Sequence, residues 1–170
     1  MRKLFLIAVA VFFISGCATK SNVYQPKDAT YLPSDTRFKV ENSIDASGFS
    51  FSEKEEAFSL SEAMHGSMNA ALASEGLLSD SGTYTVTTKI NKYEPGNAFT
   101  RWLIPGAGAT KLSTETVVLD KYNAEIARIP VERSIAFGGG FTIGAYKYVF
   151  DEVAKETVRV MKSKLIHPTE

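Results

Sequence analysis

One cysteine, Cys17, one tryptophan, Trp102, and two histidines, His65 and His167, are all the sequence holds of those residue types. A single cysteine excludes an internal disulfide and any cysteine-based metal cluster. The histidines have neither HExxH spacing nor a cysteine partner, so no metal ligand set is read from them. A Gly-x-Ser-x-Gly elbow that would present a serine nucleophile is missing. Charge of one sign is missing too. The 19 basic residues balance 19 acidic ones without any basic block or stripe, which excludes the electrostatic footprint of a nucleic-acid binder. Glu53, Glu55 and Glu56 cluster before the first helix and read as a solvated approach rather than paired catalytic carboxylates. The expectation is a protein that is not an enzyme and holds no cofactor.

Long apolar runs are also scarce, and the one that exists stands at the start. Leu4 to Ile14 is unbroken and follows Arg2 and Lys3. It is too short to span about 30 Å of hydrocarbon, which takes roughly 20 residues, and so reads as an export signal. The run ends in Ile14-Ser15-Gly16-Cys17. Small residues before a cysteine match the bacterial lipobox, in which the thiol is acylated and the chain is cut between Gly16 and Cys17. Lipidation of Cys17 consumes the only thiol. At about 0.8 kcal/mol per buried methylene, several acyl chains make a permanent anchor. Ala18 and Thr19 follow the cysteine. Lipoproteins kept in the inner membrane resemble one another in an aspartate there, so the resemblance implies the outer membrane, facing the periplasm.

Residues 1–16 are thus a lipoprotein signal peptide. Removing 16 of 170 residues leaves 154, and the 19 basic residues become 17 against 19 acidic ones. That length suits one domain. Residues 17–35 read as the lipidated cysteine and a flexible tether, because the polar stretch with two prolines has no periodicity. Residues 36–165 read as the domain, and 166–170 as a C-terminal tail.

Within the domain the pattern alternates. Thr36–Val40 reads as a strand. Ser59 with Glu62 forms a capping box, Gly76 a left-handed stop, and Leu60, Met64, Met68, Ala71 and Leu72 a helical stripe between them. Gly66 inside this helix reads as a site of close packing on a sheet. Thr83–Tyr93 alternates as a strand, and Lys111–Asn123 with Ala124–Phe137 reads as a hairpin. Pro130 places the last strand at an edge or on a bulge, since it cannot donate to a ladder. Tyr146, Val149, Phe150, Val153, Thr157, Val160, Met161 and Leu165 form the stripe of a long amphipathic helix. The expected fold is α/β (α+β): a single domain with a mixed or antiparallel sheet in β-α-β-β-β-α order and packed helices.

Two glycine-bearing loops remain. Gly106 to Lys111 imitates a phosphate loop, yet Leu112 stands where a magnesium-binding hydroxyl is needed and a strand follows where a helix is needed. What is left there is an aromatic loop with Phe99, Arg101, Trp102, Leu103 and Ile104 as a candidate interaction site. Gly138, Gly139, Gly140 and Gly144 form the second loop, whose spacing misses the dinucleotide fingerprint. It reads as a tightly turned connection.

The segments Tyr93–Leu112 and Arg133–Val158 resemble signature segments of a domain-of-unknown-function family of small bacterial lipoproteins. The resemblance implies an exported, lipid-anchored α/β domain without an established activity. The element order is more distantly similar to lipoprotein accessories of envelope machines, among them lipid-trafficking transporters, peptidoglycan-synthase regulators and the curli secretion channel. That likeness is one of fold, and fold does not fix function.

Two functions follow as expectations, and a third is weighed and set aside. The first is a membrane-anchored, non-catalytic envelope accessory or adaptor that contacts an unidentified envelope protein. Its two glycine-aromatic loops would also suit homo-oligomer formation. The second is a periplasmic small-ligand or lipid-binding component of a transport system, with Tyr93, Glu94, Arg101 and Arg133 lining a pocket. The third, a pore, needs paired strands of about 9–11 residues, and Pro95 and Pro105 break the aromatic loop into pieces too short for it.

Overall fold

The computed structural model describes residues 18–25, 31–52, 57–104, 107–136 and 144–166. Residues 1–17, the acidic cluster at 53–56, Gly106, Gly138–Gly140 and residues 167–170 with His167 lie outside the described residues. The elements are β1 Ala18–Ser21, β2 Phe38–Val40, β3 Ile44–Asp45, α1 Leu60–Ser74, β4 Tyr84–Glu94, α2 Ala98–Leu103, β5 Thr110–Leu119, β6 Glu125–Ile135 and α3 Ala145–Lys164. The order β-α-β-β-β-α is therefore present, with β1, β3 and α2 added to it.

The sheet is mixed and has six strands in the order β1-β6-β5-β4-β2, with β3 on the same strand β4 as β2. β2 and β3 run parallel to β4, whereas the β4–β5, β5–β6 and β1–β6 pairs are antiparallel. Parallel pairing of β2 with β4 follows from the intervening helix α1, since a crossover connection is what parallel neighbours require. Asp120 closes the hairpin between β5 and β6 by accepting the backbone N–H groups of Tyr122 and Ala124 at 2.8 and 2.9 Å.

Alternation sets the layers. In β5 the residues Thr110, Leu112, Thr114, Thr116 and Val118 are buried, and their neighbours are half-exposed. The buried positions of β4 and β6 pair with these rows, so one face of the sheet carries the core and takes both long helices. α1 buries Leu60, Met64, Met68, Ala71 and Leu72, the stripe read from the sequence. α3 buries Val149, Phe150, Val153, Thr157, Val160 and Met161, with Ala154 and Val158 besides. Burying a side chain of Leu, Met or Phe size contributes about 1.5–3 kcal/mol, and these two stripes against the sheet are the main stabilisation. Ser59 caps α1 by accepting the Glu62 N–H at 3.1 Å.

Three expectations need correction. Gly66 is exposed, and a Cβ built on it meets nothing within 4 Å, so it marks no close approach. The close approach is at Gly82 instead, where a Cβ would stand 2.7–2.8 Å from the backbone of Arg37, Phe38 and Lys39. Pro130 lies in a strand paired on both sides rather than at an edge, and the irregularity in the β5–β6 ladder falls at Val118/Leu119. Its missing donor faces β1. Tyr24 and Arg128 exchange two backbone bonds of 2.8 and 2.9 Å, while two residues along Asn22 donates to the Pro130 carbonyl at 3.4 Å and receives none. The named β1 ladder ends at Ser21 for that reason.

The third correction concerns the tether. Residues 18–21 are a strand on β6, Tyr24 bridges to Arg128, and Leu32 is buried and bonded to Leu165. Side chains reinforce the backbone pairing: Ser21 donates to Glu156 at 2.6 Å, and Arg133 contacts Thr19 while pairing with Glu152 at 2.9 Å. A polar segment without periodicity gains order here from ladder hydrogen bonds, which any side chain permits.

Candidate functional site

One end of the sheet gathers the residues of interest. Ala18 is opposite Ser134, Ser134 is opposite Lys111, and Lys111 is opposite Glu94, so these four form one row across β1, β6, β5 and β4. Strands stand about 4.8 Å apart, which makes the row about 15 Å wide. The chain leaves this end toward Cys17 from β1, toward α3 from β6 and toward α2 from β4.

In the connection from β4 to β5, residues 95–104 and 107–109 are described. Asn97 accepts the Thr100 N–H at 2.9 Å and so caps α2, while the Asn97 N–H donates to the Gly108 carbonyl at 2.9 Å. The Thr110 hydroxyl donates to the Pro95 carbonyl at 2.7 Å. These bonds close the base of the loop, and Gly96 and Gly108, both with positive φ, allow its turns. On top, Phe99, Leu103 and Ile104 are exposed by 68, 59 and 53 %. Single exposed apolar residues are ordinary, but three on one six-residue helix and its C-cap make a patch. The side chains of Arg101 and Trp102 lie outside the described residues.

Beneath this end is an aromatic cluster. The β4 bulge between Ile90 and Lys92 turns Tyr93 to the core side, where its hydroxyl donates to the Tyr146 carbonyl at 2.7 Å. Tyr93 meets Phe49 edge-on at 5.0 Å and Phe150 at 5.5 Å, and Phe58 joins Phe51, Tyr93, Tyr146 and Phe150. The end of β4 that leads into the loop is thus packed into the core. On the opposite side of β4, Glu94 pairs with Lys92 at 2.6 Å and with Lys111 at 3.0 Å. Hydrogen bonds from Lys92 and then Lys111 hold the Glu94 carboxyl below its usual range. The trio carries one net positive charge.

Of the four residues expected to line a ligand pocket, the three whose side chains are described do not converge. Tyr93 is buried in the aromatic cluster, Glu94 faces the other side of the sheet, and Arg133 is engaged with Glu152 and Thr19. Of the second loop only Gly144 is described. It caps α3 with φ of +87° and offers no side chain to the helix start. The lysine of the imitated phosphate loop is the second residue of β5, on its half-exposed face. Among the described residues no group of three or more His, Cys, Asp or Glu side chains is placed to hold a metal ion, and no helix is long and apolar enough to cross a membrane.

Sequence reasoning missed α2, β1 and the two-residue β3. The signal for α2 was Asn97, a good N-cap before Ala98–Leu103, hidden because the bracketing prolines and glycines read as loop. β1 had no comparable signal.

Comparisons with known proteins agree with this architecture. Two crystal forms of the PelC dodecamer from Paraburkholderia phytofirmans, one of them a point variant, each superpose with a TM-score of 0.57. Identity is 8 and 9 %, over 83 and 87 % of this chain and 95 and 100 % of PelC, so the likeness is one of fold. A DUF4136 family protein from Bacteroides thetaiotaomicron VPI-5482 aligns at a TM-score of 0.44 and 9 % identity, over 83 % of this chain and 94 % of that one. Among curated proteins none matches the sequence. A family model does, over residues 19–139, most of the domain from β1 through β6. The chain belongs to the family of the domain of unknown function DUF4410.

Proposed function

We propose that this protein is a lipid-anchored, non-catalytic accessory of the bacterial envelope, held by acylated Cys17 in the periplasmic leaflet of the outer membrane and working through protein contacts. The observation that carries this reading is the junction of anchor and fold. A lipobox ends at Cys17, and the very next residue, Ala18, is already paired in the sheet. Acylation would therefore fix the domain at the membrane surface in one orientation, which suits a scaffold that must present a face.

The face available for protein is the side of the sheet away from the helices. Lys20, Lys89, Lys111, Glu115, Arg128 and Glu132 alternate there with half-exposed uncharged residues, and α1 and α3 cover only the other side. The PelC structures that share the fold are dodecamers, which supports self-association as the simplest form of such contact.

Lysine crosslinking in intact envelopes tests the reading. Crosslinks from Lys20, Lys89 and Lys111 to a second copy or to one reproducible envelope protein are expected; crosslinks confined within single chains would sink it. The anchor has its own test, because Cys17→Ala should abolish both acyl labelling and membrane retention. Unchanged retention of that variant would exclude lipidation as the anchor.

A further inference from the structure

We infer that α2 is a second, apolar contact with the leaflet: Phe99, Leu103 and Ile104 enter the phospholipid surface beside the acyl chains of Cys17. The inference rests on the lipid-anchor reading and adds to it the orientation of the domain and the residues that set it. Three observations carry it. First, Ala18, Ser134, Lys111 and Glu94 share one row, so the residue that bears the acyl chains and the loop that bears α2 leave the same end of the sheet, about 15 Å apart along the row. Second, β1 removes the slack. A free 18-residue tether would reach about 60 Å, whereas Cys17 is one Cα step of about 3.8 Å from the paired Ala18. An acylated Cys17 therefore brings this end of the domain to the membrane surface and no other.

Third, the end has the composition of an interfacial contact. The apolar patch on α2 and its C-cap is more than half exposed at each of its three residues, and the strand that leads into it ends on Lys92 and Glu94, with Lys111 paired to Glu94 on the next strand. Interfacial helices bury their apolar face about 5–10 Å into the boundary between headgroups and acyl chains, with cations at the phosphates. The bonds at the loop base tie the start of α2 to the stretch that leads into β5. A protein occupant fits less well, because lipid already lies against this end once Cys17 is inserted.

Trp102 is the only tryptophan in the chain and lies within α2, so it reports the contact without added labels. The acylated mature protein is reconstituted into phosphatidylethanolamine–phosphatidylglycerol vesicles with bromine at known acyl depths. The inference expects about twofold quenching of Trp102 by shallow bromine and less by deep bromine, as suits an interfacial depth. The triple variant F99S/L103S/I104S, equally acylated, should lose most of that quenching. Amide exchange of the wild-type protein supplies a readout free of variants: residues 97–104 should slow on vesicles relative to the same protein in detergent-free acyl-binding carrier. Trp102 unquenched in an acylated chain, or exchange at 97–104 unchanged, overturns the inference and leaves the anchor standing. A mature chain whose mass carries no acyl groups overturns the anchor reading and this inference together.

Discussion

Single residues in this domain separate two kinds of glycine. Gly66 sits exposed in mid-helix with open space where a Cβ would go, so it contributes only the entropic cost of glycine in a helix. Gly66→Ala is expected to stabilise by about 1 kcal/mol, a rise of roughly 2–4 °C in thermal midpoint for a chain of this length. Gly82→Ala should do the reverse, costing about 1–3 kcal/mol, because the added carbon meets backbone atoms at 2.7–2.8 Å that cannot step aside. Denaturant unfolding of the two variants separates these signs. Threonines in the core offer a third case. Thr88 and Thr116 bond to each other at 2.9 Å, and Thr157 donates to the Val153 carbonyl, but the buried Thr114 hydroxyl has no hydrogen-bond partner. An unsatisfied buried hydroxyl costs about 1–3 kcal/mol, so Thr114→Val should raise the midpoint, while Thr116→Val, which orphans Thr88, should lower it.

At the scale of elements the decisive piece is β1, a short polar strand whose hold on the domain depends on its partners. Ser21 and Arg159 both bind Glu156, and Thr19 meets Arg133, which is paired with Glu152 on the same helix. The Glu156 carboxyl is held below its usual range, first by the Arg159 hydrogen bond, then by the Ser21 hydroxyl and the Arg133 charge, against burial that pushes it up. A carboxyl lowered in the folded state adds stability above its unfolded value and loses it as pH falls through the folded value. The protection factors of the amides at residues 18–24, corrected for the intrinsic pH dependence of exchange, should therefore fall when pH drops below the ordinary carboxylate range. Glu156→Gln should flatten that acid dependence, and a dependence retained by the variant would assign it to another group. The same reasoning explains what was legible. α1 and α3 announced themselves because a helix buries a periodic stripe; β1 is laid down by backbone ladder bonds that any side chain permits, and its sequence Ala-Thr-Lys-Ser carries no trace of a partner more than a hundred residues away.

For the whole molecule, the geometry links anchor, sheet end and open sheet face. If α2 and Cys17 meet the leaflet together, slack between them should weaken the pair through effective concentration. A flexible insert of about 12 Gly and Ser residues after Cys17 spans roughly 20 Å and should reduce bromolipid quenching of Trp102 while leaving acylation intact. Equal quenching with and without the insert would mean that α2 holds the leaflet by itself. The candidate loop was legible as apolar residues between prolines, but its exposure was not, since the same residues folded inward would have made a satellite core.

The element order of the domain and its helix stripes were determined by the sequence alone, because each is a local pattern with a period of 2 or 3.6, and the proposed signal and lipobox rest on local patterns as well, a short apolar run and a cysteine after small residues. Tertiary structure decided three matters that no local pattern encodes. It laid residues 18–21 on β6, where the ladder stops at the donorless Pro130. It drew Tyr93, Glu94 and Arg133 apart, because a bulge and the strand alternation send them to different partners. And it placed the apolar top of α2 at the end of the sheet from which the chain leads to Cys17, because antiparallel pairing aligns the start of β1 with the end of β4 across three strand spacings.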